Sequence, residues 1–417
     1  MPTGAVRAVP SPAIILAMSN DFILNAAQKL MPQVVALRRD IHRQPERGLQ
    51  LPRTQQSVLA ALDGLGLAVR TGSAVSSVVA TLDGSRPGRT ILLRGDMDAL
   101  PLTEDTGLDF VSRSDGVMHA CGHDTHVAML AGAARLLAEH RDRFAGRVVF
   151  MFQPGEEGFH GARYMLDEGL LDAQGAEPVS AAFALHITTQ FRSGTINLRG
   201  GPQMASSDTL RITVHGAGGH ASAPHDALDP IPVACEITQA LQTMVTRRVS
   251  VFDPAVVTVA RISAGTTSNI IPETAEIEGT IRALSEQTRA VVGANVVQVA
   301  EGIAAAHGVT VTVEIEGGYP VTVNDPGFAE FTTSVAVGLL GADRVSTMPS
   351  PIMGAEDFSY VLARVPGAMA FLGGCPPELD PAQAPANHSN RVVFDEQAMA
   401  TGVATYAAVA LHHLAEV

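Results

Sequence analysis

The chain has 417 residues, 46% of them hydrophobic, and because this length exceeds what one compact core normally accommodates, two domains are expected. Its 42 acidic residues against 28 basic ones give a formal net charge of -14, which repels nucleic acid phosphates and anionic membranes. No apolar run approaches the roughly 20 residues of a membrane-spanning helix. Neither nucleic acid nor a membrane is therefore predicted as a partner.

The cysteine count and the first residues bear on the cellular location of the protein. An odd number of cysteines in a long chain argues against a disulfide framework and favours a reducing compartment, so we predict a cytoplasmic location; they are Cys121, Cys235 and Cys375. The first apolar run lacks the charged start and cleavage site of a secretory signal. We predict a disordered extension over residues 1–20, with Met18 as an alternative to Met1 as the functional start.

Three short apolar runs, within residues 89–101, 146–158 and 180–188, alternate with helical patterns. Apolar strands joined by helices predict an α/β fold with a mostly parallel sheet flanked by helices. Such sheets place their sites at the carboxyl ends of the strands. The polar residues predicted at these ends are Asp96, Asp98, Glu156, Glu157 and His186.

The order of predicted strands and helices changes near residue 206. Residues 206–317 follow the order β-α-β-β-α-β, which is the ferredoxin-like pattern. Because α/β signals resume afterwards, we predict that this segment is an inserted domain. The outer, catalytic domain would then be discontinuous, with parts at 21–205 and 318–417.

The segment HACGHDTH, from His119, is the first candidate for chemistry. Cys121 and His123 are spaced as two ligands on a loop, and Asp124 is predicted to cap the helix that follows. The local pattern alone leaves a metal site and a polar loop with a buried thiol about equally supported.

Adjacent carboxylates after a buried strand repel each other unless a cation or a raised pKa relieves them. In QPGEEG one of Glu156 and Glu157 could bind a metal while the other serves as general base; a solvated pair at a turn is the alternative. His186 by itself would be a core histidine. Its place at a strand end beside the other donors completes a nitrogen, sulfur and oxygen set suited to zinc or manganese-like ions.

Seven motifs together resemble the hippurate hydrolase branch of the dinuclear metallopeptidase and aminoacylase superfamily. That branch includes bacterial N-acyl-amino-acid amidohydrolases and plant hydrolases of indoleacetyl-amino acids. The resemblance spans roughly residues 30 to 410. In chain order the motifs are RGDMDALPLTEDTG, HACGHDTH, FQPGEEGFHGARYML, GGHASAPH, SNIIPETAEIEGTIR, MGAEDFSY and NHSN.

The resemblance implies two divalent ions per chain, bridged by the sulfur of Cys121, and a metallopeptidase-like catalytic domain with an inserted lid or dimerisation domain. The implied ligands are Cys121, His123, Glu157, His186 and His388. Glu156 would be the general base and Asp98 a supporting acid outside the ligand shell. Distant relatives carry a bridging aspartate and a ligand histidine at the positions of Cys121 and Asp96. A thiolate favours zinc over manganese, with cobalt and nickel as further candidates.

The resemblance also implies roles outside the metal centre. His220 of the inserted domain would reach the tetrahedral intermediate, often across a dimer; a glycine-rich turn with an incidental imidazole is the alternative. An acyl-amino acid carries a free carboxylate, which a strongly acidic protein must bind through a local donor, and Arg282 and Asn269 are our candidates. A solvated strand charge and a simple turn residue, respectively, are the alternatives. Glu356 and Asp357 would organise their loop.

We therefore predict a metal-dependent amidohydrolase that cleaves hippurate-like N-acyl-amino acids into a carboxylic acid and a free amino acid. Its expected partners are the small substrate and further copies of the chain, in a homodimer or higher oligomer formed through the inserted domain. A dipeptidase or carboxypeptidase of the same superfamily is the first alternative. A binding protein with a degenerate site is the second, which the presence of Glu156 beside five candidate ligands disfavours.

Overall fold

The computed structural model describes residues 19–172 and 177–415. The predicted extension, apart from its last two residues, lies outside the described residues, and so does the choice between Met1 and Met18. Asn20, the last residue of that predicted extension, already begins the first helix, whose N-cap is Ser19.

The described helices are α1 Asn20–Arg43, α2 Pro52–Leu62, α3 His123–Glu139, α4 Gly161–Asp167, α5 Pro230–Arg248, α6 Glu286–Ala306, α7 Pro326–Leu340, α8 Ser359–Leu362 and α9 Ala398–Ala415. None of them combines the length and apolarity that crossing a bilayer requires.

The described strands fall into a first half, β1 Ala68–Thr71, β2 Val78–Asp83, β3 Thr90–Asp96, β4 Arg147–Gln153, β5 Val179–Arg192, β6 Ile196–Leu198, β7 Gly201–Met204 and β8 Asp208–His215. The second half comprises β9 Gly219–His220, β10 Ala255–Ala264, β11 Ile270–Ile271, β12 Thr274–Ala283, β13 Thr310–Gly317, β14 Thr322–Asn324, β15 Val345–Thr347 and β16 Gly367–Cys375.

The large sheet has eight strands in the order β1-β2-β4-β3-β5-β16-β6-β15. Its centre is parallel, because β4, β3, β5 and β16 pair in parallel. Antiparallel pairings occur toward the edges, between β1, β2 and β4 and between β16 and β6. The predicted α/β class with a mostly parallel sheet is confirmed.

Alternating side chains of the buried strand β3 supply both faces of this sheet. Ile91 and Leu93 join a core with residues of α1, α3 and α9, whereas Leu92 joins a second core with residues of α4 and α8. Full burial of each such side chain stabilises the fold by about 1.5–3 kcal/mol. Because both faces are covered, the chemistry is confined to the sheet's edge.

Residues 208–317 build a separate four-stranded antiparallel sheet in the order β10-β12-β8-β13, with α5 and α6 between strands in the chain. This is the strand order of a ferredoxin-like unit. Along β8 the buried residues Leu210, Ile212 and Val214 alternate with more exposed ones and pack into a core of their own with α5 and α6. The division at 206 and 317 stays our proposal for the domain boundary.

Candidate metal centre and active site

The central strands of the sheet deliver acidic residues to one edge. Asp96 is the last residue of β3, and Asp98 follows two positions later. Glu156 and Glu157 follow β4, which ends at Gln153. Since β3 and β4 are parallel neighbours, their carboxyl ends meet, and these acids lie together.

His186 reaches the same edge from inside a strand. We expected it to end its strand, but β5 continues to Arg192, so that expectation is wrong. The pairing of β5 with β3 stops at Ala184, and His186 is paired only with Phe371 of β16. Its side chain therefore lies where the sheet opens on one side. The length of β5 depends on β16, which is distant in the chain.

The loop that carries Cys121 turns sharply into α3. Gly122 precedes the helix with φ 90°, and a Cβ there would lie 2.5 Å from Cγ2 of Ile187. Only glycine fits both the left-handed conformation and the close approach of β5. The helix consequently starts at His123, directly beside Cys121.

Asp124 does not cap this helix, so the predicted N-cap is wrong. Its side chain is fully buried and Oδ2 accepts hydrogen bonds from Nε of Arg38 at 2.7 Å and, in the tautomer with a proton on Nδ1, from His42 at 2.8 Å. Both partners belong to α1, which packs against α3. A buried ion pair with α1 is available only after tertiary packing, and it displaces the local cap that the sequence suggested.

Two sets of three donor atoms share the sulfur of Cys121. One set contains Cys121, His123 and His186, and the other contains Cys121, Glu157 and His388; within each set all donors lie within 4.8 Å of one another. The sulfur is 3.4 Å from Nε2 of His186, and Oε1 of Glu157 is 3.3 Å from Nε2 of His388. These spacings are close to the donor separations around a four-coordinate ion with bonds of about 2.0–2.3 Å.

Buried donors without well-aligned hydrogen bonds support this interpretation. Nε2 of His123 and Oε1 of Glu157 are both buried and lack a well-aligned hydrogen bond; their contacts are with Oδ2 of Asp96 at 3.2 Å and with Nε2 of His388 at 3.3 Å. Unsatisfied buried polar atoms are costly, and a cation in contact with both would relieve the cost. The residues therefore fit a pair of divalent ions that share a thiolate.

The ring orientation of two histidines follows from their backbone contacts. Nδ1 of His123 lies 2.8 Å from the carbonyl oxygen of Asp98, and Nδ1 of His186 lies 2.8 Å from that of Ile187. A carbonyl oxygen only accepts, so each Nδ1 carries the proton and donates it. Nε2 is then the ring atom left for a metal, and it can bind one only when the ring is neutral.

Asp98 fixes the backbone of the loop Glu156–Gly158, called the acidic loop below. Its Oδ1 accepts from the backbone N–H of Glu156 at 2.9 Å and its Oδ2 accepts from that of Glu157 at 3.0 Å. With both oxygens engaged, Asp98 acts as a support for the two glutamates in our assignment, outside the ligand set.

The two adjacent glutamates differ in acidity. Burial, followed by the charges of Glu356 and Glu157, raises the pKa of Glu156 well above its usual value. Burial also opposes ionisation of Glu157, but the polar contact with His388 and the charge of His123 outweigh it and lower its pKa. The two adjacent carboxyls therefore hold their protons with different strength.

The pKa values of the Cys121 thiol and the His388 imidazole are both raised, so both groups favour their protonated forms in the absence of a cation. Burial and the charge of Glu157 raise the pKa of Cys121, while polar contacts with Cys121 and Glu157 raise the pKa of His388 to about 10. Metal binding needs a thiolate and a neutral imidazole, so it must release these protons.

Glu356 and Asp357 lie beneath the site. Nη2 of Arg94 is 2.6 Å from Oε1 of Glu356 and 3.3 Å from Oδ1 of Asp357. Asp357 also accepts from the side-chain amide of Gln153 at 2.6 Å and from the backbone N–H of Ala162 at 2.9 Å. All these contacts tie their loop to β3, β4 and α4, so the loop-organising role remains our assignment.

His126 was not singled out by the sequence reasoning. Its Nε2 accepts from the backbone N–H of Ile187 at 2.8 Å, so its proton sits on Nδ1, which lies 2.6 Å from Oδ1 of Asp96. His126 thus joins the end of β3 to the backbone beside His186. Its place one helical turn after His123 was the available signal.

Asn387 was also missed. Its side-chain amide nitrogen donates to the carbonyl oxygens of Cys121 and Ile187, each at 3.0 Å. The next residue, His388, has φ 70° and its N–H donates to the carbonyl oxygen of Ala120 at 2.9 Å. No periodic pattern marks this loop, so only its adjacency to His388 could have pointed to Asn387.

A cavity of about 520 Å³ lies over these donors. Arg282 of the inserted unit lines it, and Nη1 of Arg282 donates to the carbonyl oxygen of Met353 at 2.8 Å. His220 ends β9 and Asn269 directly precedes its partner strand β11; both residues are exposed and do not line this cavity. Within the described part of one chain, the candidate ligands, Glu156 and Arg282 therefore lie together. His220 and Asn269 lie apart from them.

The fold and the donor set define the class of a metallohydrolase with an inserted α+β unit. The family model for Peptidase family M20/M25/M40 matches residues 92–412, and the chain belongs to this family.

The chain is 38% identical over 397 residues to thermostable carboxypeptidase 1 of Saccharolobus solfataricus, covering 93% of this chain and 97% of that protein. It is 35% identical over 412 residues to IAA-amino acid hydrolase ILR1-like 4 of Arabidopsis thaliana, covering 98% and 90%. It is 36% identical over 356 residues to N-acetyl-L-cysteine deacetylase of Bacillus subtilis, covering 85% and 83%.

Among solved structures, the chain is similar to the Bacillus subtilis YXEP protein, described as a dinuclear metal binding peptidase from the M20 family. The TM-score is 0.80 with 32% sequence identity, covering 94% of this chain and 100% of that chain.

Proposed function

We propose that this protein hydrolyses the amide bond of N-acyl-amino acids with the help of two divalent metal ions. The observation that carries the proposal is the thiol of Cys121, shared by two three-donor sets beside the buried carboxyl of Glu156. The plant and bacterial relatives named for acyl-amino-acid hydrolysis support it.

In this proposal the ligands are Cys121, His123, Glu157, His186 and His388. When bound, the two ions polarise the amide carbonyl and make the attacking water more acidic. Zinc suits the thiolate best, with manganese, cobalt and nickel as the other candidates.

Glu156 moves the proton. Its burial and its acidic neighbours raise its pKa, so its ionised form is a stronger acceptor for a proton from the attacking water. The same carboxyl then gives that proton to the leaving amine nitrogen as the C–N bond breaks. The products are a carboxylic acid and a free amino acid.

Arg282 is our candidate for binding the free carboxylate of the amino-acid portion. It lines the cavity from the inserted unit, and its contact with the carbonyl of Met353 uses Nη1, whereas its Nη2 makes no hydrogen bond with a described residue. A guanidinium can bind a carboxylate through two N–H groups, and the acidic chain offers few other cations here. Asn269 and His220 would join this site from a second copy of the chain, in a homodimer or higher oligomer.

A carboxypeptidase is the second candidate, because the Saccharolobus relative is named for that activity. Both reactions cleave an amide next to a free carboxylate and need the same centre. They differ in whether the acyl side carries an α-amino group. We further propose a cytoplasmic location, which the three free cysteines of the described chain support.

Elemental analysis combined with a hydrolysis screen tests the proposal. We expect two metal ions per chain and faster hydrolysis of hippurate-like and N-acetyl-amino acids than of dipeptides and longer peptides. Preference for peptides would favour the carboxypeptidase. A metal-free protein that hydrolyses nothing, even after reconstitution with zinc or manganese, would favour the degenerate binding protein.

Arg282→Ala tests the carboxylate site. We expect KM to rise about 10-fold or more for N-acyl-amino acids and to change little for the matching N-acyl-amino-acid amides, because only the acids lose a charge-assisted partner. Steady-state kinetics on the matched pair measures both. Equal effects on acid and amide would remove Arg282 from this role.

A further inference from the structure

The peptide unit between Glu156 and Glu157 is held at both of its polar ends. Its N–H, from Glu157, donates to Oδ2 of Asp98 at 3.0 Å. Its carbonyl oxygen, from Glu156, accepts a hydrogen bond from the hydroxyl of Tyr319. One end of the peptide is thus fixed by the catalytic sheet and the other by a residue more than 160 positions away in the chain.

The Tyr319 hydroxyl also accepts. The backbone N–H of Gly158 is shared between this hydroxyl and the carbonyl oxygen of Glu156, each at 2.7 Å, so the phenol contacts both the start and the end of the loop Glu156–Gly158. The side chain is only 7% exposed, and its ring lies edge-on to the ring of His160 at 4.9 Å. A buried hydroxyl with both a donor and an acceptor contact holds its partners in one geometry.

Tyr319 lies where the chain leaves the inserted unit. It follows β13, which ends at Gly317, and its carbonyl oxygen accepts from the N–H of Ser207 at 3.0 Å, on the segment by which the chain enters that unit. The two connecting segments are therefore tied together by the backbone of the residue whose side chain contacts the acidic loop.

From these contacts we infer that Tyr319 is a positioning residue that couples the inserted unit to the acidic loop Glu156–Gly158. Rotation of the Glu156–Glu157 peptide moves both carboxylates, since one side chain is attached on each side of it. By fixing the carbonyl end, the phenol sets where the base and the ligand point. The inference rests on the proposed roles of these two glutamates.

Tyr319→Phe removes the hydroxyl and keeps the ring and its packing. We expect kcat for an N-acyl-amino acid to fall about tenfold with KM nearly unchanged, because small misplacements of reacting groups lower the rate of the chemical step. We also expect a chelator to remove zinc several times faster from the purified variant, since Glu157 is less well held.

Tyr360→Phe is the matched control. Its ring lies 6.3 Å from that of Tyr319, and its hydroxyl contacts His160 and the carbonyl oxygen of Gly318 but not the acidic loop. We expect wild-type kcat and zinc retention from this variant. Thermal melting of both variants, followed by circular dichroism, reports any loss of folding.

The inference is overturned if Tyr319→Phe keeps wild-type kcat and zinc retention. It is equally overturned if both variants lose kcat and zinc in proportion to their drop in melting temperature, because the effect would then be structural. If the wild-type protein hydrolyses no acyl-amino acid, the proposed function fails. Faster zinc release from Tyr319→Phe alone would still support the coupling.

Discussion

Glu156 and Glu157 have identical side chains and adjacent positions, yet their surroundings give them opposite tendencies. Glu156 faces the buried acids Glu356 and Asp357, which raise its pKa together with burial, whereas Glu157 faces the imidazoles of His388 and His123, which lower its pKa. Neighbouring charges, and not the residue type, therefore separate the carboxyl that we propose as proton carrier from the one that we propose as metal ligand.

This separation predicts the effect of Glu156→Gln. The amide has nearly the same shape but cannot take up a proton, so we expect turnover to fall at least ~10²-fold. The candidate ligands are untouched, so metal content measured by elemental analysis should stay near the wild-type value. Near-normal turnover would assign the base to another residue.

Replacing Cys121 by alanine distinguishes two possible roles of its sulfur, a bridging thiolate and a structural thiol. A buried structural thiol packs like a small hydrophobic residue, so Cys121→Ala would then leave metals and turnover largely intact. For a thiolate shared by two ions, we expect the same change to release at least one metal and nearly abolish hydrolysis in a folded protein. Metal analysis, turnover and circular dichroism of one preparation decide between them.

Cys121→Asp is the informative companion. It supplies a carboxylate in place of the thiolate, so we expect partial recovery of metal binding with the preference shifted toward manganese. In a Cys235→Ser background, which removes the exposed thiol, mild oxidant should inactivate the metal-free protein faster than the loaded one. Two retained metals and ordinary activity in Cys121→Ala would contradict the bridging assignment.

At the scale of elements, the site depends on loops that are fixed to one another. The amide of Asn387 holds the Cys121 loop and β5 through two carbonyl oxygens while its neighbour, His388, points back to the sulfur. One side chain thus joins three segments that deliver ligands.

Asn387→Asp removes the donor and places a carboxylate against two carbonyl oxygens. We expect metal affinity, measured by competition with a chromogenic chelator, to fall about 10–100-fold. Asn390→Asp makes the same chemical change at an exposed position of the same loop and should leave affinity unchanged. Equal losses in both variants would attribute the effect to added charge alone.

The elements themselves were largely predictable. Apolar runs predicted β3, β4 and β5, and the pattern β-α-β-β-α-β predicted the order of strands and helices from β8 to β13. Both predictions were possible because strand and helix periodicities are local properties. The cap assigned to Asp124 and the strand end assigned to His186 were wrong. Both errors came from partners distant in the chain, Arg38 and His42 in the first case and β16 in the second.

At the scale of the whole molecule, the cavity of one chain lacks His220. This residue is exposed on β9 of the inserted unit and does not line the cavity that holds Cys121 and Glu156. If a second copy supplies it, each active site is built from two chains.

Mixing two inactive variants tests this arrangement. His220→Ala lacks the donated histidine and Glu156→Gln lacks the base, so neither homodimer should be active. After subunit exchange, a heterodimer has one intact site only if His220 acts across the interface, and about a quarter of wild-type activity should return. No recovery, with exchange verified by mass spectrometry, would place His220 in its own chain's site, whereas an active His220→Ala protein would place it outside catalysis.

The sequence by itself determined the fold class, the order of the inserted unit and the types of residue that could bind metal, since these follow from periodicity and from donor chemistry written along the chain. Only the tertiary structure decided that Cys121 belongs to two donor sets, that Asn387 joins their loops and that Tyr319 contacts the backbone of Glu156. The physical reason is that these contacts join segments from 65 to more than 260 residues apart, and such contacts exist only after the sheet has ordered its strands.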